Sequence, residues 1–118
     1  MKFRQVPPER LDGSGVANPW GYILSIPEQL SLRYNITFES TYDDLDYCEE
    51  AVLETDSGQL FMLKHYARAP GPGHTYIIGN ERIKNPIQEW NEIVAALELT
   101  KQEVIAVHPA ILESPEWD

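Results

Sequence analysis

The stretch QLFMLKHYA, residues 59–67, carries apolar side chains on consecutive positions rather than on alternate ones. In an extended strand Leu60 and Met62 point to one face, while Phe61 and Leu63 point to the other. A strand that is apolar on both sides belongs in the interior of a sheet, with other parts of the protein packed over each face. This stretch therefore predicts a central strand with two covered faces.

The chain on either side of this strand predicts two hairpins. AVLET (51–55) and QLFMLKHYA flank DSG (56–58), a turn in which Gly58 can adopt a positive φ. On the other side, PGPGHT leads into TYIIG (75–79), which is again apolar on consecutive positions. The loop lacks the lysine and the following helix that a phosphate-binding loop needs. We interpret it as a connection between two antiparallel strands.

An alternating pattern lies upstream, in LSLRYNITFE (30–39). Its apolar positions are Leu30, Leu32, Tyr34, Ile36 and Phe38. A period of two predicts a strand with one face in the core and one face in water.

The C-terminal third predicts two helices. Asn85 and Pro86 are typical of a helix start, and apolar residues follow at helical spacing. These are Ile87, Trp90, Ile93, Val94 and Leu97. Thr100 and Glu103 form a second capping pattern, which predicts another helix from about Lys101 to Val107.

Together these signals predict an α+β fold, with an antiparallel sheet of about four strands (residues 30–79) packed against two C-terminal helices (86–107). We expect a single domain over residues 1–118, since this length can bury a core. Residues 1–19 are rich in Pro and Gly and predict an irregular N-terminal arm, and the acidic tail 112–118 is expected to be loose. The helices cover one sheet face only, so the arm, or a second copy in a homodimer, should cover the other.

Charge and composition exclude several classes of function. Nineteen acidic residues against nine basic ones give a formal charge of −10. Such a field repels nucleic acid and anionic membranes, and it favours basic partners. The one cysteine, Cys48, cannot form an internal disulfide, and we find neither a signal-peptide pattern nor a long apolar run. We therefore expect a cytoplasmic protein without a cofactor.

The segment from Glu39 to Asp56 contains eight acidic residues and no basic one. Tyrosines among carboxylates suit the binding of a cationic protein, because rings supply contact area and carboxylates steer the approach. We therefore hypothesise a non-enzymatic protein-binding module, such as an inhibitor or immunity-type regulator of a basic partner. The candidate partner-binding residues are Tyr42, Asp43, Asp44, Asp46, Tyr47, Glu49 and Glu50. The alternative interpretation is a solvated loop whose charge serves solubility.

Two histidines support a second hypothesis, from a different class of function. His65 and His74 stand on either side of the PGPG loop and could meet across the hairpin, in a small metal-binding protein or an enzyme. Two histidines are too few for a closed zinc site, so a carboxylate such as Glu81 would have to join them. The aspartate run also fails the calcium-loop pattern. We therefore assign neither a metal site nor a catalytic residue from the sequence.

Overall fold

The computed structural model describes residues 2–42, 46–67, 75–82 and 84–109. Within these ranges, seven strands form one antiparallel sheet. They are β1 (Phe3–Gln5), β2 (Val16–Ile23), β3 (Glu39–Tyr42), β4 (Tyr47–Thr55), β5 (Leu60–Tyr66), β6 (Thr75–Asn80) and β7 (Val104–Val107), and the α-helices are α1 (Pro27–Tyr34) and α2 (Pro86–Leu97). The strand order is β1-β4-β5-β6-β2-β7, and β3 pairs with β4 beside β1.

Strand β5 is interior, as its sequence predicts. It pairs with β4 on one side and with β6 on the other. Phe61 and Leu63 are fully buried under the helices, and Met62 is buried on the opposite face. The predicted turn between β4 and β5 is also confirmed, with Gly58 at φ 95° and its N–H donating to the carbonyl of Thr55.

Both α-helices lie on the same face of the sheet and contact each other. Their buried side chains share one cluster with the inward residues of the central strands. The hydroxyl of Tyr34 in α1 donates to the carbonyl of Leu97 in α2 at 2.6 Å. Burial raises the pKa of Tyr34 to about 12, so the hydroxyl keeps its proton and this link across the whole physiological range.

Two tryptophans pack directly on two glycines in the middle of the sheet. Trp90 of α2 covers Gly21, where an added Cβ would lie 2.2 Å from the ring atom Cη2. Trp20 covers Gly79, where an added Cβ would lie 2.3 Å from ring atoms. A bulge in β2 lets Trp20 face the helices, since the register changes between Pro19 and Gly21. Any side chain at these glycines would push the rings out of the core.

The predicted strand over residues 30–39 is wrong, because its first half forms helix α1. Leu30 and Tyr34 are four residues apart and both are buried, as expected for one side of a helix. Leu32, between them, is 83% exposed. Asn35 then ends the helix in the left-handed conformation, with φ 55°. The period of two in this stretch was coincidental.

The predicted second C-terminal helix over residues 101–107 is also wrong. The N–H of Thr100 donates to the side chain of Glu103 as the capping pattern predicts, but only one 3-10 turn follows. The next residues are rich in β-branched side chains and pair with β2 as β7. The sheet therefore has seven strands among the described residues rather than about four, and α1 precedes most of them.

The N-terminal residues cover part of the second face of the sheet, so the predicted irregular arm over residues 1–19 is wrong in its structure. It contains β1, a 3-10 turn at Pro8–Leu11 and the start of β2. Its expected role as a cover for the second face is confirmed by a second apolar cluster. This cluster consists of Val6, Val52, Met62 and Ile78. The acidic tail 112–118 lies outside the described residues.

One buried carboxylate holds this N-terminal segment at two points. Arg4 donates to Glu54 Oε1 through Nε at 3.0 Å and through Nη2 at 2.6 Å, and Arg10 Nη2 donates to Oε2 at 2.5 Å. The hydrogen bonds from Arg4, joined by Arg10, lower the pKa of Glu54 against the opposing effect of burial. Glu54 therefore ties both ends of the segment to β4.

We expect Trp90→Ala to lower the free energy of unfolding by about 3–5 kcal/mol, because it removes a large buried ring that the sheet cannot collapse around. Urea unfolding followed by circular dichroism measures this change. Leu32→Ala is the matched control at an exposed helical position, where less than about 0.5 kcal/mol is expected. A loss below about 1 kcal/mol for Trp90→Ala would contradict the packing described here.

Acid should weaken the protein through Glu54. Because its pKa is lower in the folded state, its contribution is complete above its ordinary value of 4.5 and is lost as pH falls through the folded value. We expect Glu54→Gln to destabilise the protein at pH 7, and the difference from wild type to shrink towards pH 3. Unfolding in urea across this range measures it, with Glu9→Gln as the control. Parallel pH profiles for wild type and Glu54→Gln would contradict the clamp.

Candidate functional site

The acidic segment singled out from the sequence forms the hairpin of β3 and β4. Its register places Tyr42 directly opposite Tyr47, at the end of the hairpin. The two rings meet edge to face, with centroids 4.9 Å apart and an interplanar angle of 75°. Tyr42 is 78% exposed and Tyr47 is 37% exposed. The hairpin thus presents a preformed aromatic pair, which loses little conformational entropy on binding.

The acidic candidates have different environments in the structure. Asp46 Oδ1 accepts the N–H of Tyr47 at 2.8 Å, which makes this carboxylate part of the turn. Glu50 points to the second face of the sheet, where its Oε2 lies 3.9 Å from Lys64 Nζ. Asp43 and Asp44 lie outside the described residues. The predicted carboxylates therefore do not form a single cluster.

Glu49 lies on the helix face, on the same side of the hairpin as the tyrosine pair. It is directly opposite His65 of β5. Both side chains line a groove of about 640 Å³ between α1 and the hairpin. Glu28, in the first turn of α1, lines it as well. The rest of the lining is largely apolar, with Ile26, Pro27, Ile36 and Phe38.

The chemistry of this groove suits a long cationic side chain. An apolar wall can pack against the methylene stem of a lysine or arginine, and the carboxylates of Glu28 and Glu49 can accept hydrogen bonds from its charged end. Among the described residues that line the groove there is no Lys or Arg to occupy that position. The tyrosine pair extends the same surface, because Tyr47 and Glu49 are two residues apart on one strand.

The metal-site hypothesis loses its predicted third ligand. Glu81 follows the last residue of β6, whereas His74 immediately precedes the first, so the length of the strand, about 20 Å, separates them. Within the described part of the chain, no three His, Cys, Asp or Glu residues are grouped closely enough to hold a metal. His74 itself lies outside that part. Metal binding through His65 and His74 stays a prediction.

Sequence reasoning missed the wall of the groove that α1 provides. Glu28 and Phe38 gained no role because residues 30–39 were interpreted as a strand. A signal for the helix was nonetheless present: Pro27 suits a first helical position, and Gln29 accepts the N–H of Ile26 at 3.1 Å. Those two residues would have placed Glu28 at a helix start.

Comparison with known proteins adds no assignment. No protein-family model, no curated protein and no solved structure matches this chain. In the ranges that the structure describes, no helix has the length and apolar character needed to cross a membrane. The interpretation of the hairpin and groove therefore rests on their own chemistry.

Proposed function

We propose that this chain is a non-enzymatic binding protein for a basic protein partner, of the kind that an inhibitor or immunity-type regulator represents. The partner docks on the β3–β4 hairpin and inserts a lysine or arginine side chain into the adjoining groove. The observation that carries this proposal is the continuity of an exposed tyrosine pair with an acidic, apolar-walled groove on one face.

The two parts of this surface contribute differently. The rings of Tyr42 and Tyr47 provide contact area that excludes water, which is the source of most affinity in such interfaces. Glu28 and Glu49, with the overall charge of −10, attract the partner and favour cations over other side chains. Charge alone gives speed without selectivity, so the groove next to the rings supplies the specificity.

The same charge bears on the other parts of the proposal. It disfavours nucleic acid and anionic lipid surfaces as partners. We expect the protein to act in the cytoplasm, since Cys48 is buried and makes no disulfide within the described residues.

The test uses an arginine hexapeptide titrated into the isotopically labelled protein and followed by nuclear magnetic resonance. We expect saturable shifts at the amides of Glu28, Phe38, Tyr47, Glu49 and His65. Glu49→Gln should weaken binding about fivefold, which corresponds to the loss of about 1 kcal/mol. Glu9→Gln removes the same charge from an exposed position in the N-terminal segment and should weaken binding less than twofold. Equal effects of the two variants would mean that only net charge attracts the peptide, as in the solvated-loop interpretation.

The carboxylates of the turn are tested separately, with Asp43, Asp44 and Asp46 all changed to asparagine. The amide oxygen that Asp46→Asn introduces can still accept the N–H of Tyr47, so the hairpin is retained while three charges are lost. We expect slower association with the peptide at low salt, and a smaller difference at 0.15 M, where the Debye length is about 8 Å. An unfolded variant would show instead that these carboxylates are structural.

A further inference from the structure

Strand β7 forms one edge of the sheet and lacks the features that usually keep edge strands apart. It pairs with β2 on one side, and none of the strands described pairs with its other side. Edge strands are usually protected by charged residues, by proline or by a cover. β7 reads Val-Ile-Ala-Val, without a charge, in a chain in which 24% of residues are charged. This edge is therefore open to pairing with another strand.

The opposite edge is different in each of these respects. β1 carries Arg4 and β3 carries Glu39 on that edge. The side-chain amide of Gln5 also bridges the gap between them, donating to the carbonyl of Thr37 at 2.6 Å and accepting its N–H at 2.9 Å. Charges and a side chain thus occupy hydrogen-bonding groups at one edge, and among the described edge strands only β7 is left uncharged.

The bulge in β7 determines how its side chains are oriented. Val104 pairs with Ile23 and Ala106 pairs with Tyr22, so Ile105 is an extra residue between two consecutive pairs. Val104 and Val107 pack into the core under the helices. Ile105 is 45% exposed, and Ala106 is exposed as well. The strand therefore has two outer positions that face inward and two inner positions that face solvent.

We propose that the chain forms a homodimer in which β7 pairs antiparallel with β7 of a second copy, about a two-fold axis. Val104 then lies opposite Val107 of the partner copy, and Ile105 lies opposite Ala106 of the partner copy. Residues directly opposite in antiparallel strands point to the same face, and this register satisfies that requirement at every pair. The two sheets join into one continuous sheet through both copies.

Charge identifies a second copy as the occupant of this edge. Two molecules of charge −10 repel each other, so they can associate only where the contact is uncharged. β7 is such a contact, and its nearest carboxylate, Glu103, is already paired with Arg33. Leu24 is 50% exposed beside it, with its N–H bonded to the carbonyl of Glu103, and it extends the apolar contact. A basic partner would gain nothing from an uncharged edge.

The dimer leaves the proposed partner site open. Five strand spacings, about 24 Å, separate β3 from β7, so the hairpins lie at the two outer ends of the joined sheet. A two-fold contact also consumes the only uncharged edge among the described strands, which limits assembly to two copies. This proposal does not depend on the proposed function.

Sedimentation equilibrium of the full chain between about 1 µM and 1 mM tests the dimer, since weak pairing has a dissociation constant in this range. We expect twice the monomer mass at the upper end. Ile105→Lys should raise the dissociation constant at least about 30-fold, and Ala106→Lys should do the same, while urea unfolding stays close to wild type because both sites are exposed. Leu32→Lys, at an exposed position on α1, should leave the dimer unchanged.

Three results would overturn the proposal. The first is a wild-type protein that remains a monomer at every concentration. The second is a dimer that survives both lysine variants at β7. The third is a dimer that is dissociated by Tyr76→Lys but not by Ile105→Lys, which would place the contact on the second face of the sheet.

Discussion

The packing of Trp90 on Gly21 and of Trp20 on Gly79 determines how closely the helices lie on the sheet. Each ring occupies the space that a Cβ would need, so α2 lies directly on the backbone of β2. At this depth Glu92 of α2 accepts hydrogen bonds at 2.7 Å from hydroxyls at and beside the β4–β5 turn. The same helix therefore fixes the centre of the sheet and one of its ends. Loss of either glycine would disturb both.

The position of α1 follows from that of α2, and the candidate site follows from α1. The hydrogen bond from Tyr34 to the carbonyl of Leu97 joins the two helices at a buried point. The first turn of α1 then lies across from the β3–β4 hairpin, and the groove is the space between them. Glu28 and Glu49 face this space from separate elements, so neither charge has to be buried. The site thus depends on the tryptophan–glycine contacts at two removes.

The sequence predicted the elements whose signals are local. β5, the turn at Gly58 and α2 each carry their pattern within a few residues. α1 was missed because Leu30 and Tyr34 fit a strand and a helix equally well, and the deciding residues flank the pattern. β7 was missed for a different reason: the capping residues before it do start a turn, but the open side of β2 pairs with the chain after one turn, and nothing within the segment indicates that. The site was predicted only in part, because the hairpin arises locally whereas Glu28 joins it through the tertiary fold.

A double-mutant cycle between Gly21→Ala and Trp90→Leu tests the central claim most directly. Gly21 does not have a positive φ, so the backbone accepts alanine and only the ring opposes it. The account predicts that Gly21→Ala lowers the free energy of unfolding by about 1–3 kcal/mol in wild type. In the Trp90→Leu background the same change should be neutral, or stabilising by up to about 1 kcal/mol, because the space is then free. An equal cost of Gly21→Ala in both backgrounds would contradict the claim that the ring rests on the bare backbone.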